Sequence, residues 1–463
     1  MDVLAILLDV VKQPALIVGI FSFIGLMALR KPFHKVLTGT LRPVLGYIMM
    51  MAGANIIVAN LEPLGDMIHE GFHITGVVPS NEAIVASASR LLGTETMFIL
   101  VAGLMMNLLI ARFTRFKYVF LTVHHSFFMA CLLSAVLGTI GLSGIELVLA
   151  GGFLLGAWSS ISPAIGQKYT NRVTHGDHIA LGHFGSLAYY ISAWVGSKVG
   201  RADDNIEDME IPEKWAFLKD TTVSTAMTMV VFFLLAAFAA GSDYVSTISK
   251  GMSPVIFAIM SGLEFAVGVA VVSAGINMML GDLIPAFKGV SEKVIPSAVP
   301  AVDCVAFFNY APTAVVLGFV SSFIGGVLGM VILGFAGGVL IVPGLVAHFF
   351  CGAAAGIFGN ATGGRRGAAA GAFTNGLLIT FAASLLVPVF EGLGFKNTTF
   401  GDFDFNVVGM VLSMAYRFLG TYGIYAVIAI VLAVLVAPNF MHLKNRVINQ
   451  VEEIEEEKES AED

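Results

Sequence analysis

The chain has 463 residues, of which 57% are hydrophobic and only 12% charged, and its mean hydropathy is +0.86. Soluble proteins carry about 25% charged residues, so a soluble globular domain is excluded. A membrane β-barrel is excluded as well, because the apolar runs are continuous rather than alternating. The net charge of −7 comes partly from the tail 452–463, EEIEEEKESAED. That tail reads as a solvated end, and nucleic acid is not an expected partner.

In chain order, the runs long enough to cross a bilayer are about 14–29, 42–60, 96–112, 118–141 and 144–161, then 222–242, 254–275, 312–334, 336–356, 368–391 and 418–438. The stretch 179–199 reads as a hairpin or a short broken helix, and 406–417 as a short interfacial segment. The fold class is therefore an all-α polytopic membrane protein with about eleven transmembrane helices. The start, MDVLAILLDVVKQPALIVGIF, has no positive n-region and no small-residue cleavage site, so no cleaved signal peptide is expected. Arg30, Lys31, Lys35 and Arg42 follow the first span, and Arg112, Arg115 and Lys117 follow the third. Lys198, Arg201, Lys214 and Lys219 precede the sixth, and Lys444 and Arg446 follow the last. The positive-inside rule puts these loops in the cytoplasm, with the N-terminus outside and the C-terminus inside.

One passage occurs twice. AGANIIVANLEPL at 52–64 aligns with AGINMMLGDLIPA at 274–286, matching Ala52/Ala274, Gly53/Gly275, Asn55/Asn277, Leu61/Leu283 and Pro63/Pro285. Further on, VPSNE at 78–82 lies over VPAVD at 299–303. The loop charges orient the two copies oppositely, which is the pattern of an inverted-repeat transporter. The expected layout is a first repeat at 1–221, a second at 222–417, a last transmembrane helix at 418–440 and an acidic cytoplasmic tail at 441–463. After each copy comes a polar, Pro-broken stretch, 64–83 and 287–303, read as a re-entrant or amphipathic segment returning toward the membrane centre and as the place to look for substrate.

Glu82 and Asp303 end those stretches just before apolar runs. An acid there faces a cavity or partner, or else caps a helix. His124 and His125 form a pair inside a span, of which one is expected to face a given cavity. His183 is flanked by Gly182 and Gly185, and His348 falls near the repeat-related place of the pair. Imidazoles offer a donor and an acceptor and carboxylates accept, so the set suits a polyhydroxylated ligand. Ser126, Asn55, Asn277, Asn309 and Asn360 are further contact candidates. His175 and His178 have a metal-like spacing, but nothing completes four ligands, so no metal site is expected. Cys131, Cys304 and Cys351 lie in apolar stretches and read as buried small hydrophobes. The Gly-rich run 358–373 with Arg365-Arg366 lacks the strand and Lys-Ser/Thr of a phosphate loop. It reads as a cytoplasmic or interfacial bend, whose Arg365 or Arg366 could touch an acidic soluble partner.

At LTVHHSFF, LGHFGSLAYYISAW and above all PSAVPAVDCVAFFNYAPTAVVLGF, the chain resembles the membrane-spanning IIC component of the ascorbate-specific phosphotransferase system. The resemblance runs over most of residues 1–440. It implies a multi-pass permease of the bacterial cytoplasmic membrane that takes up ascorbate while separate soluble IIB and IIA proteins carry out phosphoryl transfer. It also implies a homodimer in which a core domain moves, elevator fashion, against a V-shaped domain, both interleaved across the two repeats. No catalytic residue or cofactor is implied in this chain. His124, His183 and Asp303 match family ligand contacts. Phe128 and Phe184 stand where the family has Gln, and Asn81-Glu82 where it has a Thr-Tyr pair. A related sugar acid or polyol is thus as open as ascorbate. An ion-coupled secondary carrier of a small polar or anionic substrate, with the acids and imidazoles as a proton relay, is the alternative.

Overall fold

The computed structural model describes residues 13–72, 81–208, 221–249, 251–293, 297–392 and 399–439, with single residues 10, 77, 79 and 295. The expected acidic tail and the cations Lys214, Lys219, Lys444 and Arg446 lie outside the described residues. Helices dominate. The first is α1 (Pro14–Ala28), whose Pro14 opens it at a position where a backbone donor would be idle anyway. Then come α2 (Phe33–Phe72), α3 (Asn81–Phe113), α4 (Val123–Thr139), α5 (Gly144–Val173) and α6 (Ser186–Val199). The later helices are α7 (Thr221–Ala240), α8 (Ser242–Ile248), α9 (Pro254–Lys293), α10 (Pro312–Ala336), α11 (Leu345–Gly392) and α12 (Phe403–Leu419). The last, α13, is Thr421–Asn439. By length and composition six helices among the described residues can cross a membrane, or seven if α7 and α8, bent by 116°, count as one span.

The two copies of the repeated passage lie in α2 and α9, each 40 residues long, which pack along one another. Their starts and ends fall within one residue of the register that the passage sets. The polar stretches after the passage begin differently from the re-entrant expectation. Residues 64–72 and 287–293 prolong α2 and α9, while 73–76, 78, 80, 294 and 296 lie outside the described residues. Pro43 and Pro63 sit inside α2 without ending it, as membrane helices allow when neighbours satisfy the freed carbonyls.

Among the described residues, three short strands depart from an all-helical chain. They are β1 (Tyr118–Phe120), β2 (Ala180–Leu181) and β3 (Val299–Val302). They form a parallel sheet in the order β1-β3-β2, with Phe120 opposite Ala301 and Leu181 opposite Val302. Pro300 sits in the central strand, yet costs the ladder little. Backbone donors alternate sides along a strand, and Val299 N already bonds Lys117 O on the β1 side. The missing donor at Pro300 thus points to the β2 side, where pairing begins only at Ala301.

Helix α11 is a hairpin. Its backbone breaks at Gly364, at φ 59° and ψ −150°, a left-handed conformation that glycine adopts without strain. The chain folds back so closely that a Cβ on Gly359 would lie 2.3 Å from Gly367 O. Ser322 of α10 touches both legs, at Gly352 and Gly376. The apex therefore separates the expected runs 336–356 and 368–391. The C-terminal end of α6 is wedged into this apex, and a Cβ on Gly200 would lie 1.9 Å from Gly363 O. Small residues let helix backbones meet this way in membranes, and Ser192 Oγ and Thr362 Oγ1 add hydrogen bonds across the seam to Gly371 O and Ala193 O.

Candidate functional site

In a parallel sheet the carboxyl ends of all strands open on one side, and ligands bind there. Each strand here is followed within four residues by a polar residue of the cluster. His124 lies in the first turn of α4 after β1, His183 comes two residues after β2, and Asp303 directly follows β3. The sheet therefore draws into one place three residues far apart in sequence, two from the first half and one from the second.

Their geometry is specific. His124 Nε2 is 3.3 Å from Asp303 Oδ2. The other oxygen of Asp303 accepts from Val305 N at 3.3 Å and caps the 3₁₀ turn Cys304–Tyr310. The helix-cap reading of this residue thus describes one oxygen, while the other faces the His124 ring. His183 Nδ1 accepts from Gly185 N at 3.1 Å and meets Tyr189 OH at 2.9 Å. A backbone N–H can only donate, so the neutral ring carries its proton on Nε2. That Nε2 faces Asp402 Oδ1 at 3.8 Å.

Both histidines of the adjacent pair reach the cluster, although only one was expected to. The pair sits in the first turn of α4, at the focus rather than along a wall. His124 turns to Asp303, while the His125 ring lies 3.9 Å from that of His183 and stacks on Phe405 at 5.7 Å and 7°. His125 Nδ1, His124 Nδ1, Ser126 Oγ and Thr122 Oγ1 are buried without a protein partner. Such groups are costly unless something bonds them. Phe128 packs edge-on to His124 at 6.0 Å. Phe184 is fully buried and stacks on Phe120 at 4.6 Å, beneath His125.

Asn81 opens α3 at the edge of this cluster. Its Nδ2 donates to Asp402 Oδ2 at 2.6 Å, and its Oδ1 accepts from Gly401 N at 3.0 Å. The backbone of Glu82 is helical, but its side chain lies outside the described residues.

Asp402 and Asp404 have no place among the sequence candidates. Asp402 is buried, accepts from Cys351 Sγ at 3.0 Å and precedes α12. Asp404 is wholly buried and accepts from Ser186 Oγ at 2.8 Å and Leu187 N at 3.0 Å, which caps α6. Two acids beside two Phe in GDFDF were the available signal, since acids inside apolar surroundings are functional by default. Cys351 and Cys304 are buried as expected, but they border the site rather than filling remote core. His348 faces elsewhere. Its Nδ1 pairs with Ser322 Oγ at 2.9 Å, and Asn375 Nδ2 donates to the same hydroxyl at 3.1 Å. Asn277 and Asn309 bond each other at 3.2 Å, Asn360 holds the 205–206 loop, and Asn55 is exposed.

Among the described residues three groups are close enough to hold a metal, and two of them include His183, one with His125 and Asp402 and one with Asp303 and Cys304. The tautomer argues against that use. A metal on Nε2 needs its lone pair there and an acceptor oriented on Nδ1, whereas Nδ1 receives a backbone donor. The site instead offers donors on imidazoles and hydroxyls and acceptors on two carboxylates, bordered by the aromatic rings of Phe128, Phe184 and Phe405. That combination fits a small hydroxylated molecule.

A polytopic helical membrane protein with a buried polar cluster of imidazoles and carboxylates is the class these features define. The family model for the PTS system sugar-specific permease component matches residues 9–404, and the chain belongs to that family. The ascorbate-specific PTS system EIIC component of Mycoplasma pneumoniae is similar, 26% identical over a 414-residue alignment that covers 77% of this chain and 62% of the relative. The chain thus spans under two thirds of that relative's length.

Proposed function

We propose that this chain is the permease subunit that takes up ascorbate, or a related sugar acid or polyol, while a soluble IIB protein phosphorylates it. The transport cycle is of the elevator type, in a homodimer of the bacterial cytoplasmic membrane with the N-terminus outside. Two inverted repeats, 1–221 and 222–417, followed by a last transmembrane helix, account for eleven spans. The equal lengths of α2 and α9 support that reading. Its chief support is that His124, His183 and Asp303, which match family ligand contacts, come from both halves of the chain and meet at the strand ends. Asp303, Asp402 and the donor Nε2 of His183 suit a ligand rich in hydroxyls.

A thermal-shift series on the purified protein tests the ligand, because a molecule that binds only the folded form raises the melting temperature. Ascorbate, galactitol and related sugar acids are the probes. Uptake into right-side-out vesicles tests the coupling. It should require the IIB protein and a phosphoryl donor, and uptake driven by a proton gradient alone would favour an ion-coupled carrier instead.

A further inference from the structure

The carboxylates of the candidate site face imidazoles. Among the described residues, the ion pairs of Asp303 and Asp402 run to His124 and His183 rather than to a lysine or arginine. Both gaps, 3.3 Å and 3.8 Å, are longer than an ordinary N–H···O bond. The other partners of Asp402 are neutral donors, Asn81 Nδ2 and Cys351 Sγ.

The charge of the site follows from these bonds. His183 is neutral, because its Nδ1 accepts the Gly185 N–H and both nitrogens of an imidazolium are donors. Protons on both His124 and His125 would only cancel the charges of Asp303 and Asp402. With all rings neutral the two carboxylates stand uncompensated. Asp404, which holds the start of α6 through Leu187 N, adds no positive charge. An anionic ligand therefore meets no net positive charge in any protonation state of these rings, and like charges brought together in a buried site repel. The bonding pattern agrees. A carboxylate only accepts, so Asp402 needs a donor from the ligand, and an anionic oxygen has none to give. A hydroxyl serves both ways. In the 3.8 Å gap its oxygen accepts from His183 Nε2–H while its proton goes to Asp402 Oδ1. His125 Nδ1 and Ser126 Oγ, buried without a protein partner, call for the same two-way group.

We infer that the site selects an uncharged polyol over an anionic sugar acid, with Asp402 as the residue that turns anions away. The inference rests on the permease reading above and narrows its substrate class. Ascorbate, an anion at neutral pH, is then the disfavoured member. Specificity of this kind comes as much from the repulsive element as from the attractive one.

The test uses the full chain in nanodiscs and calorimetric titration with four probes, galactitol and mannitol as neutral ones and ascorbate and galactonate as anions. At least one neutral probe should bind ten times or more as tightly as either anion. Asp402→Asn keeps the shape of the side chain and removes its charge. It should shrink that preference at least tenfold, weakening the polyol and strengthening the anions. If this variant does not fold, Asp402→Ser removes the same charge, and the ranking of probes on the unaltered chain is decisive without either. Tighter binding of ascorbate or galactonate by the unaltered chain overturns the inference and leaves the permease reading standing. A polyol preference that both substitutions leave intact overturns the role of Asp402. Absence of binding by all four probes, together with uptake driven by a proton gradient alone, overturns both the inference and the permease reading.

Discussion

His124 Nε2 and Asp303 Oδ2 lie 3.3 Å apart although 179 positions separate them in the chain. Strands β1 and β3, side by side and parallel, bring them together. The pair joins the two halves of the molecule at the candidate ligand site.

Asp303→Asn removes the charge that His124 faces and weakens the cap on Val305. Together with His183→Ala, it should abolish the thermal shift given by the sugar ligand. Size-exclusion chromatography should show the same oligomer as the unaltered chain. An unchanged shift in either purified variant removes that residue from the site.

Asn81→Ala probes the positioning of Asp402. The Asn81 amide holds Asp402 Oδ2 and Gly401 N at once, and hydrogen bonds to charged groups contribute about 1.5–3 kcal/mol. Ligand affinity should fall roughly tenfold, the equivalent of about 1.4 kcal/mol, when measured by calorimetry. Asp402→Asn should lower it as well. Full affinity in both variants would place Asp402 outside ligand recognition.

Phe128→Gln and Phe184→Gln should behave differently. Phe128 is half-buried beside His124, so a glutamine there finds the ligand or water, and the fold should tolerate it. Phe184 is fully buried against Phe120 and Phe405. An amide there without a partner costs about 1–3 kcal/mol, besides the lost ring contacts. Melting curves should separate the two variants, and a gain of ascorbate binding by Phe128→Gln would mark this residue as a selector of substrate.

Gly200→Ala should be damaging, because the new methyl would sit 1.9 Å from Gly363 O, a backbone atom that cannot step aside. Overpacking of this kind costs about 1–3 kcal/mol. Gly65→Ala in α2 meets nothing within 4 Å and should be neutral or stabilising by about 0.5–1 kcal/mol, the ordinary gain of alanine over glycine in a helix. Equal melting temperatures for the two variants would contradict the close crossing of α6 and α11.

Much of this was legible in the sequence, and the exceptions have physical causes. Long apolar runs announced the helices, and the GNATGGRRG passage announced a bend where α11 folds back at Gly364. His124, His183 and Asp303 stood out as polar groups in apolar surroundings. The sheet was not legible, because strands of two to four residues carry no periodicity. The 118–141 run therefore read as a single span, although it opens as β1. Residues 64–72 and 287–293 seemed too polar to continue a helix, yet long helices can run past an apolar slab into water. Asp402 and Asp404 were missed because they adjoin a stretch that reads as interfacial. Only the fold turns them inward, against Asn81 and the start of α6.

The seam between α6 and the folded legs of α11 has a mechanical result. One end of α6 is anchored beside His183 by Asp404, and the other is locked into the apex beside Arg366. The candidate site and the hairpin apex thus sit on a single rigid rod. Under the elevator cycle proposed above, any displacement of the one would carry the other with it.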